Sequence, residues 1–430
     1  MIARITHTLI RLKESCRMSI RMISIMSHTF IILYIYPKIL VMLSFDNTEV
    51  AFAGKTRKDL NRSYLLFKMV NNSAIVNIGK AMTNFAMNLH LPINGFIRAT
   101  IFKQFCGGEN INESLKTVEE LAKYNIGSIL DYSVEGKVSE VDFDDTAAEI
   151  IRTLQAAAKN PHISFGVFKP SGLGRHSVLE KKSAGAILNN EEAQAWANMQ
   201  RRVDNLCKTA FDNNVRLLID AEETWTQTAV DELVGEMMQK YNRRKPIVFN
   251  TVQLYRTDRN QYLENLLKDA VENNYFIGMK LVRGAYMEKE RERAAKMGYP
   301  SPINNTKADT DREYNTALEF CVKHIDRIAF CSGSHNETSA ELLIKLMERY
   351  NIPKNHPHIW FSQLFGMSDH ISYNVAKEGY NVAKYVPYGP IANVLPYLIR
   401  RAQENTSVKG QTGRELNLII KEKQRRNSAA

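Results

Sequence analysis

The chain has 430 residues, of which 44% are apolar, which is enough for a large buried core and excludes a disordered protein. Its formal charge is +11, but residues 1–58 carry +6 of this and residues 406–430 carry +4. The nearly neutral body between them has no zinc-finger spacing and no interleaved basic and aromatic run, so no nucleic-acid partner is predicted.

The N-terminal segment, residues 1–58, is predicted to lie apart from the fold. Through residue 45 it holds six basic residues and one acidic residue, the bias of a mitochondrial transit segment. Its apolar run over residues 29–45 is interrupted by Pro37 and Lys38. A targeting segment is therefore favoured over contact with a membrane surface, and surface contact over a true span.

The five cysteines lie far apart, are odd in number and lack the spacing of metal ligands. They indicate a reducing compartment and ordinary burial rather than a disulfide framework, and no metal site is predicted. They are Cys16, Cys106, Cys207, Cys321 and Cys331.

Two helices, over residues 64–86 and 113–124, are predicted in a helical region of residues 59–124. Short apolar runs then alternate with amphipathic helical stretches. The predicted strands are 126–132, 163–168, 216–219, 247–254, 276–282, 328–331, 359–364 and 381–386. Helices predicted between them include 191–213, 226–241, 259–273, 311–324, 337–350 and 369–378.

Eight strands that alternate with helices over residues 125–405 are the number that a (β/α)8 barrel requires. Each strand is apolar on both sides, as in a parallel sheet with both faces covered. An open doubly wound sheet would alternate in the same way, but no glycine fingerprint follows the first strand. The predicted fold class is therefore α/β, with a barrel favoured.

Polar side chains lie near or just after the carboxyl ends of all eight predicted strands, where the active site of a barrel would lie. A single lysine there is usually solvated, and an acidic run can simply cap a helix. Eight strand ends that all carry such groups are an uncommon coincidence. The residues are Asp131, Glu135, Lys169, Asp220, Glu222, Glu223, Gln253, Tyr255, Lys280, Arg283, Tyr286, His335, Asn336, Gln363 and Tyr385.

A helix predicted over residues 397–405 places an aromatic ring, two cations and a carboxylate on one face. These residues are Tyr397, Arg400, Arg401 and Glu404. Such a face can hold an anion, although the same arginines on an ordinary outer helix would be surface charge. Residues 406–430 are interpreted as a basic C-terminal tail.

Several runs of residues resemble the signatures of the proline dehydrogenase family, which consists of flavin-dependent mitochondrial enzymes. The resemblance covers about residues 60–425, and the motifs follow the family's order. They are KLVRGAY at 280–286, LFGM at 364–367, KYVPYGP at 384–390 and PYLIRRAQEN at 396–405, together with residues 220–222 and 334–337.

The resemblance implies a distorted (β/α)8 barrel with N-terminal helices and a last helix that lies over the barrel mouth. It also implies FAD, held without a covalent bond at the carboxyl ends of the strands. The implied reaction oxidises L-proline to Δ1-pyrroline-5-carboxylate and passes the electrons to ubiquinone. The implied place is the matrix face of the inner mitochondrial membrane, with the protein bound peripherally.

By this resemblance, three cations clamp the carboxylate of the substrate, because guanidinium groups grip a carboxylate with two parallel hydrogen bonds. They are Lys169, Arg400 and Arg401. Asp220 is expected to support the pocket by fixing Lys169 or Tyr385. The walls around the proline ring are assigned to Ala285, Tyr286, Leu364, Tyr385 and Tyr397.

Contacts with FAD are implied for another set of side chains. Bacterial relatives tend to carry an arginine where this chain has Lys280 and a lysine where it has Arg283, so a point charge replaces a planar fork beside the flavin. The FAD set is Gln253, Lys280, Val282, Arg283, Gly284, His335 and Glu404.

Two further hypotheses concern single residues. Glu135 is expected to pair with Arg400 and close the site over bound proline, unless it is only an exposed loop residue. Tyr385 favours proline, because the hydroxyproline-oxidising branch of the family tends to carry a smaller residue there, but residues 398–405 fit that branch about as well. A noncatalytic, membrane-peripheral barrel is the alternative of another class, although no clamp or flavin residue is lost.

Overall fold

The computed structural model describes residues 43–70, 94–134, 136, 138–407 and 411–429. The chain divides into two compact units, residues 1–44 and residues 45–430, and the second contains all the elements described below. The targeting segment predicted at the N-terminus lies almost entirely outside the described residues. Among the described residues, no helix combines the length and the hydropathy that crossing a bilayer requires.

Eight parallel strands form a closed barrel in which every strand pairs with its neighbours in sequence and β1 also pairs with β8. The barrel prediction is therefore confirmed. Four strands have the predicted bounds, and the other four differ by one or two residues at an end. The strands are β1 Ile126–Tyr132, β2 Ile163–Phe168, β3 Arg216–Ile219, β4 Val248–Gln253, β5 Ile277–Val282, β6 Ile328–Gly333, β7 Ile359–Leu364 and β8 Val382–Tyr388.

The described helices surround the barrel and extend it at both chain ends. A π-helical turn over Arg98–Phe102 joins the third helix to the fourth, and a 3-10 turn over Pro170–Gly172 follows β2. The helices are α1 Thr48–Ala51, α2 Arg57–Val70, α3 Asn94–Ile97, α4 Lys103–Phe105, α5 Ile111–Ala122, α6 Glu140–Lys159, α7 His176–Ser183, α8 Asn190–Asp212, α9 Thr224–Tyr241, α10 Arg259–Glu272, α11 Met287–Met297, α12 Lys307–Lys323, α13 Glu337–Arg349, α14 Asp369–Lys377, α15 Ile391–Ser407 and α16 Gln411–Ser428.

Local sequence explains where several helices begin. The side chains of Ser139 and Asn189 accept hydrogen bonds from the third residues of α6 and α8, whose own carboxylates return the bond and complete capping boxes. Inside the barrel, alternate strand residues such as Phe165, Leu218 and Phe249 pack into one buried cluster. These residues close the amino-terminal and central parts of the barrel, so a ligand site is left at the other end.

Helix α15 departs from the regular barrel pattern. In a regular (β/α)8 barrel the eighth helix would pack outside β8 and β1, but here α5, which precedes β1, contacts both of those strands. Helix α15 instead packs with Phe102, Phe105 and Met367, and with Leu364 at the carboxyl end of β7. The helix predicted to lie over the barrel mouth is therefore found there.

The two chain ends belong to the folded unit more fully than the sequence indicated. Residues 45–58 were assigned to the N-terminal segment, yet Ala51 and Phe52 are buried against Leu418 and Ile419 of α16. Residues 406–430 were interpreted as a tail, yet most of them form α16. The reason is that each stretch carries an apolar face that the other end of the chain helps to cover.

Part of the C-terminal charge is also used inside the protein. Arg414 pairs with Asp46 at 2.9 Å, and both Arg425 and Arg426 pair with the buried Glu422. These arginines are therefore less available for a membrane surface than the sequence suggested.

The four described cysteines are free and buried, and Cys16 lies outside the described residues.

Candidate active site

Lys169 follows β2 directly, and its side chain reaches across the barrel mouth to residues of β1 and β8. Its Nζ donates to both carboxylate oxygens of Asp131, over 3.2 and 3.0 Å, and to the hydroxyl of Tyr385 over 3.3 Å. Burial alone would lower the pKa of Lys169, but Asp131 and Asp220 outweigh it and raise that pKa. Lys169 is therefore held in place as a cation.

Asp220, the first residue after β3, holds two other side chains. Its Oδ2 accepts a hydrogen bond from the Tyr385 hydroxyl over 2.8 Å, and its Oδ1 accepts one from Lys280 Nζ over 2.7 Å. Burial opposes ionisation of Asp220, but Lys280 and Lys169 outweigh it and keep its pKa below the usual value. Of the two expected partners, Asp220 therefore fixes Tyr385, while Lys169 is fixed by Asp131.

Tyr385 joins the two halves of this arrangement. It is 5% exposed, and Lys280 Nζ lies 4.6 Å from the centroid of its ring. Burial, with Asp131 and Asp220 nearby, raises the pKa of Tyr385 well above its usual value, so the phenol stays neutral and remains a donor. Asp131, Lys169, Tyr385, Asp220 and Lys280 thus form one connected group, here called the mouth network.

Helix α15 brings both arginines of the predicted clamp to the mouth, where they are half-buried. The guanidinium carbon of Arg401 lies 5.1 Å from the centroid of the Tyr397 ring. Burial and nearby glutamates raise the pKa of Tyr286, which follows β5, and Arg400 opposes that rise. Arg400 is therefore close enough to Tyr286 to affect its ionisation.

The residues assigned to the walls of the pocket fall in two groups. Leu364 packs against the barrel interior on one side and against the α15 cluster, with the buried Tyr397, on the other. Tyr397 is near enough to Tyr385 to contribute to its raised pKa. Ala285 lies on the loop after β5 and is exposed. The structure thus brings Leu364, Tyr385 and Tyr397 together above the strand ends.

The loop after β5 is fixed by a buried glutamine and a glycine. Gln253, which is 3% exposed, donates to the Glu222 carbonyl over 2.6 Å and accepts from the Ala285 amide over 3.3 Å. Gly284 has φ +139°, and a Cβ there would lie 2.5 Å from the Tyr255 ring. Only glycine fits this turn, so the path of the loop beside Val282 is set by the sequence.

Arg283 braces the start of α13. Its guanidinium donates to Asp311 over 2.6 Å, to Ser334 over 2.8 Å and to Ser339 over 2.9 Å, and it stacks over the Tyr314 ring at 4.4 Å. These contacts fix Arg283, paired with Asp311, beside the N-terminus of α13. A helix N-terminus favours an anion such as a phosphate.

His335 lies between β6 and α13 and is neutral at physiological pH. Its Nδ1 is 2.9 Å from the Ser368 hydroxyl. Burial, with the positive charges of Lys384 and Arg401, lowers its pKa to about 3. Two cations, a helix N-terminus and a neutral imidazole at the ends of β5 and β6 suit an uncharged ring system that carries phosphates, so the donor set fits FAD.

Two predicted site residues cannot be placed. Glu135 lies outside the described residues, and the side chain of Glu404 does as well, although its backbone belongs to α15. Sequence reasoning also gave no role to Asp131 and overlooked Ser368 and Glu415. The buried residues Glu415, Leu418, Ile419 and Glu422 have the spacing of one helix face, and the apolar pair Leu418 and Ile419 was the signal for a docked helix in the supposed tail.

The geometry agrees with what comparison with known proteins finds. The model of the family described as proline dehydrogenase matches residues 114–414. The chain belongs to the proline dehydrogenase family. This confirms the resemblance given by the sequence motifs, and the matched region includes the whole barrel and α15.

Individual relatives extend the likeness beyond the matched region. "Proline dehydrogenase 1, mitochondrial" of Dictyostelium discoideum is 34% identical over 426 residues, which cover 88% of this chain and 74% of the relative. "Carbapenem antibiotics biosynthesis protein CarD" of Pectobacterium carotovorum subsp. carotovorum is 35% identical over 322 residues, 75% of this chain and 83% of the relative.

Among solved structures, proline utilization A from Bdellovibrio bacteriovorus is similar, with a TM-score of 0.67 and 21% identity. The match covers 87% of this chain and 40% of that longer chain. At this identity the likeness shows the fold alone. It agrees with the closed barrel seen here.

Proposed function

We propose that this protein oxidises L-proline to Δ1-pyrroline-5-carboxylate with FAD as its cofactor and passes the electrons to ubiquinone. The observation that carries the proposal is the mouth network beneath α15, the helix that carries the half-buried Arg400 and Arg401. Membership of the proline dehydrogenase family supports the choice of substrate. The cofactor and the acceptor are proposals that rest on the resemblance and on the donor set at the ends of β5 and β6.

Three cations would bind the substrate carboxylate. Lys169 is held by Asp131, and Arg400 and Arg401 approach from the helix above, so the carboxylate would be gripped from two sides. Because Lys169 is held by Asp131 and Arg401 lies over the Tyr397 ring before binding, these two side chains lose little freedom when proline binds. The clamp therefore sets the orientation of the ring.

The apolar ring of proline would lie against the pocket walls. Leu364 and Tyr397 offer apolar surface, and Tyr385 is locked by its hydrogen bond to Asp220. FAD, when bound, accepts the hydride from the ring carbon next to the nitrogen. The protein's own part is to hold that carbon still, to exclude water with α15 and to keep positive charge beside the cofactor.

Lys280 and Arg283 would supply that positive charge, and Gln253, Val282, Gly284 and His335 would contact the cofactor. Lys280 is 8% exposed and directed into the barrel mouth by Asp220. Arg283 stands beside the N-terminus of α13. Lys280 would lie near the flavin ring, which gains negative charge on reduction. Arg283, near a helix N-terminus, would lie toward the phosphates of FAD.

Glu135 and Glu404 keep their proposed roles. Glu135 would pair with Arg400 and close the site, and Glu404 would turn toward the flavin from α15. Replacing Glu135 by Ala should raise KM for L-proline, since the open form of the site would be favoured. Unchanged affinity and turnover in that variant would refute the proposed closure of the site by Glu135 and Arg400.

The buried, hydrogen-bonded Tyr385 favours L-proline over its 4-hydroxy derivative. A phenol locked against the ring leaves no room for a ring hydroxyl, and its own hydroxyl is already committed to Asp220. The values of kcat/KM for L-proline and for trans-4-hydroxy-L-proline decide this point. A clear preference for hydroxyproline would overturn the assignment.

A mitochondrial place of action is supported by the names of relatives from Dictyostelium discoideum and Homo sapiens. Peripheral contact with the matrix face of the inner membrane is proposed, because the electron acceptor would be dissolved in that membrane. The test is an assay of the purified protein with L-proline and a water-soluble ubiquinone analogue, with trapping of Δ1-pyrroline-5-carboxylate. Absence of both products would contradict the proposal.

A further inference from the structure

Helix α16 is anchored to the start of the folded unit. Leu418 and Ile419 pack into a cluster with Phe52 and Phe67, and the guanidinium of Arg426 donates to the carbonyls of residues 52 and 55 over 2.9 and 2.8 Å. The helix is therefore held by apolar packing on one side and by backbone contacts at its end. These contacts by themselves involve no residue of the barrel mouth.

One side chain of α16 reaches the site. Glu415 is 2% exposed, and its carboxylate accepts a hydrogen bond from the backbone amide of Ser368. Burial, with Asp369 nearby, raises the pKa of Glu415, and His370 partly opposes that rise. Burying a carboxyl group without a directly bonded cation is unfavourable, so packing of α16 alone does not explain this residue.

Ser368 has an unusual backbone for a residue with a side chain. Its φ and ψ are 49° and 42°, in the left-handed region, at the first turn of α14. Such a conformation costs energy for a serine and persists only when its surroundings hold it. In this conformation the Ser368 hydroxyl lies 2.9 Å from Nδ1 of His335.

A second tie joins α16 to the other side of His335. Arg414, next to Glu415, donates to both carboxylate oxygens of Glu337 over 2.9 and 3.2 Å, and Glu337 begins α13 only two residues after His335. His370 Nε2 lies 3.0 Å from the same carboxylate. Consecutive residues of α16 therefore hold the two segments between which the imidazole lies.

We propose that Glu415 is a positioning residue for His335. By fixing Ser368 in its left-handed conformation, it holds the Ser368 hydroxyl against Nδ1, which sets the orientation of the His335 ring and leaves Nε2 for the cofactor. The described residues supply no hydrogen bond to Nε2. This inference rests on the proposed function only in that His335 is taken to contact FAD.

The groups that face His335 are consistent with this role. Burial keeps the imidazole neutral, and the positive charges of Lys384, Arg401 and Arg283 around it add to that effect. Nε2 points where the orientation of the ring directs it, and that orientation is fixed by the contact at Nδ1. Ser368 is the described residue that contacts that nitrogen.

The test compares four variants of the full chain. Glu415→Ala removes the acceptor, Glu415→Gln keeps an oxygen that can accept the same hydrogen bond, and Ser368→Gly removes the hydroxyl at a backbone conformation that glycine tolerates. Leu418→Ala, on the same helix, loosens apolar packing without touching Ser368. The readouts are the ring 15N chemical shifts of His335, assigned with His335→Asn, the dissociation constant of FAD and the melting temperature.

In Glu415→Ala and Ser368→Gly, we expect shifted ring 15N resonances of His335 and FAD binding about tenfold weaker, the effect of one lost positioning hydrogen bond. Glu415→Gln should resemble the original chain, and Leu418→Ala should lower the melting temperature with the His335 shifts unchanged. Unchanged shifts in Glu415→Ala, or altered shifts in Leu418→Ala, would overturn the proposal. The 15N shifts can be read even in protein that binds no FAD, so failure of the proposed function would be recognised separately.

Discussion

Tyr385 in β8 donates its hydroxyl hydrogen to Asp220 after β3 over 2.8 Å, and this bond joins opposite sides of the barrel mouth. Each of the two also accepts a hydrogen bond from a lysine. Lys169 donates to the Tyr385 hydroxyl, and Lys280 donates to the Asp220 carboxylate. The bond therefore couples the lysine of the carboxylate clamp to the lysine expected beside the flavin.

Loss of this bond should affect catalysis cooperatively. Asp220→Ala should lower kcat/KM for L-proline by about 100-fold, since two hydrogen bonds to a charged group are lost, and Tyr385→Phe by about tenfold. A double-mutant cycle on kcat/KM should give a coupling energy above about 1 kcal/mol. Strictly additive effects would mean that the two residues act independently.

The arginines of α15 should act through the substrate carboxylate. Arg400→Met and Arg401→Met should each lower kcat/KM for L-proline by about 10- to 100-fold, mainly by raising KM, because a charge-assisted hydrogen bond is lost. Arg312→Met is the matched control, since that arginine is 65% exposed on α12.

A substrate analogue sharpens the arginine test. Activity toward pyrrolidine, which lacks the carboxylate, should hardly change in the arginine variants. If pyrrolidine and L-proline were affected equally, the arginines would serve the fold or the cofactor rather than the carboxylate.

The loop after β5 should tolerate no side chain at Gly284. Gly284→Ala places a Cβ against the Tyr255 ring at a φ of +139°, so FAD binding should weaken at least tenfold. Gly235→Ala in α9, where a Cβ meets open space, should leave FAD binding unchanged and stabilise the helix by about 1 kcal/mol. FAD titration by fluorescence compares the two variants, and equal affinities would refute the role given to this loop.

Acid should destabilise the protein through His335. Its pKa in the folded state, about 3, lies below that of an unfolded histidine, so the unfolded state binds the proton first. The free energy of unfolding should therefore fall as the pH drops below about 6.5, by about 1.4 kcal/mol per unit from this residue, with no such loss above that pH.

Urea unfolding at pH 7 and pH 5 measures this loss. His335→Asn should reduce the difference between the two pH values by about 2 kcal/mol, and the exposed His162→Asn should not. The same dependence in both variants would place the acid sensitivity elsewhere.

The barrel was predictable because its signal is local. Runs such as residues 126–132 and 359–364 are apolar on both sides and bounded by helical patterns, and their observed bounds agree with the prediction. The position of α5 against β1 and β8 was not predictable from its own residues. It depends on α15 lying over the barrel mouth, which leaves the outer surface of these two strands to α5. That choice is made by packing between residues far apart in sequence.

The sequence predicted which residues form the site better than it predicted the hydrogen bonds that join them. The motifs identified Lys169, Asp220 and Tyr385, but which acid holds which base depends on strand register and side-chain reach. Asp131 was recognised at the end of β1, but the sequence did not show that Lys169 is its partner. Glu415 was hidden, because a charged residue in a basic segment is usually solvated.

In the proposed function, L-proline bound under α15 is oxidised at a flavin held by the ends of β5 and β6. Anaerobic titration of the purified protein with L-proline, followed by visible absorbance, tests this reaction. We predict that the flavin band bleaches, with one Δ1-pyrroline-5-carboxylate formed per flavin, and that the Arg400→Met/Arg401→Met variant bleaches only at far higher proline concentration. A protein without a flavin band, or a flavin that L-proline leaves oxidised, would contradict it.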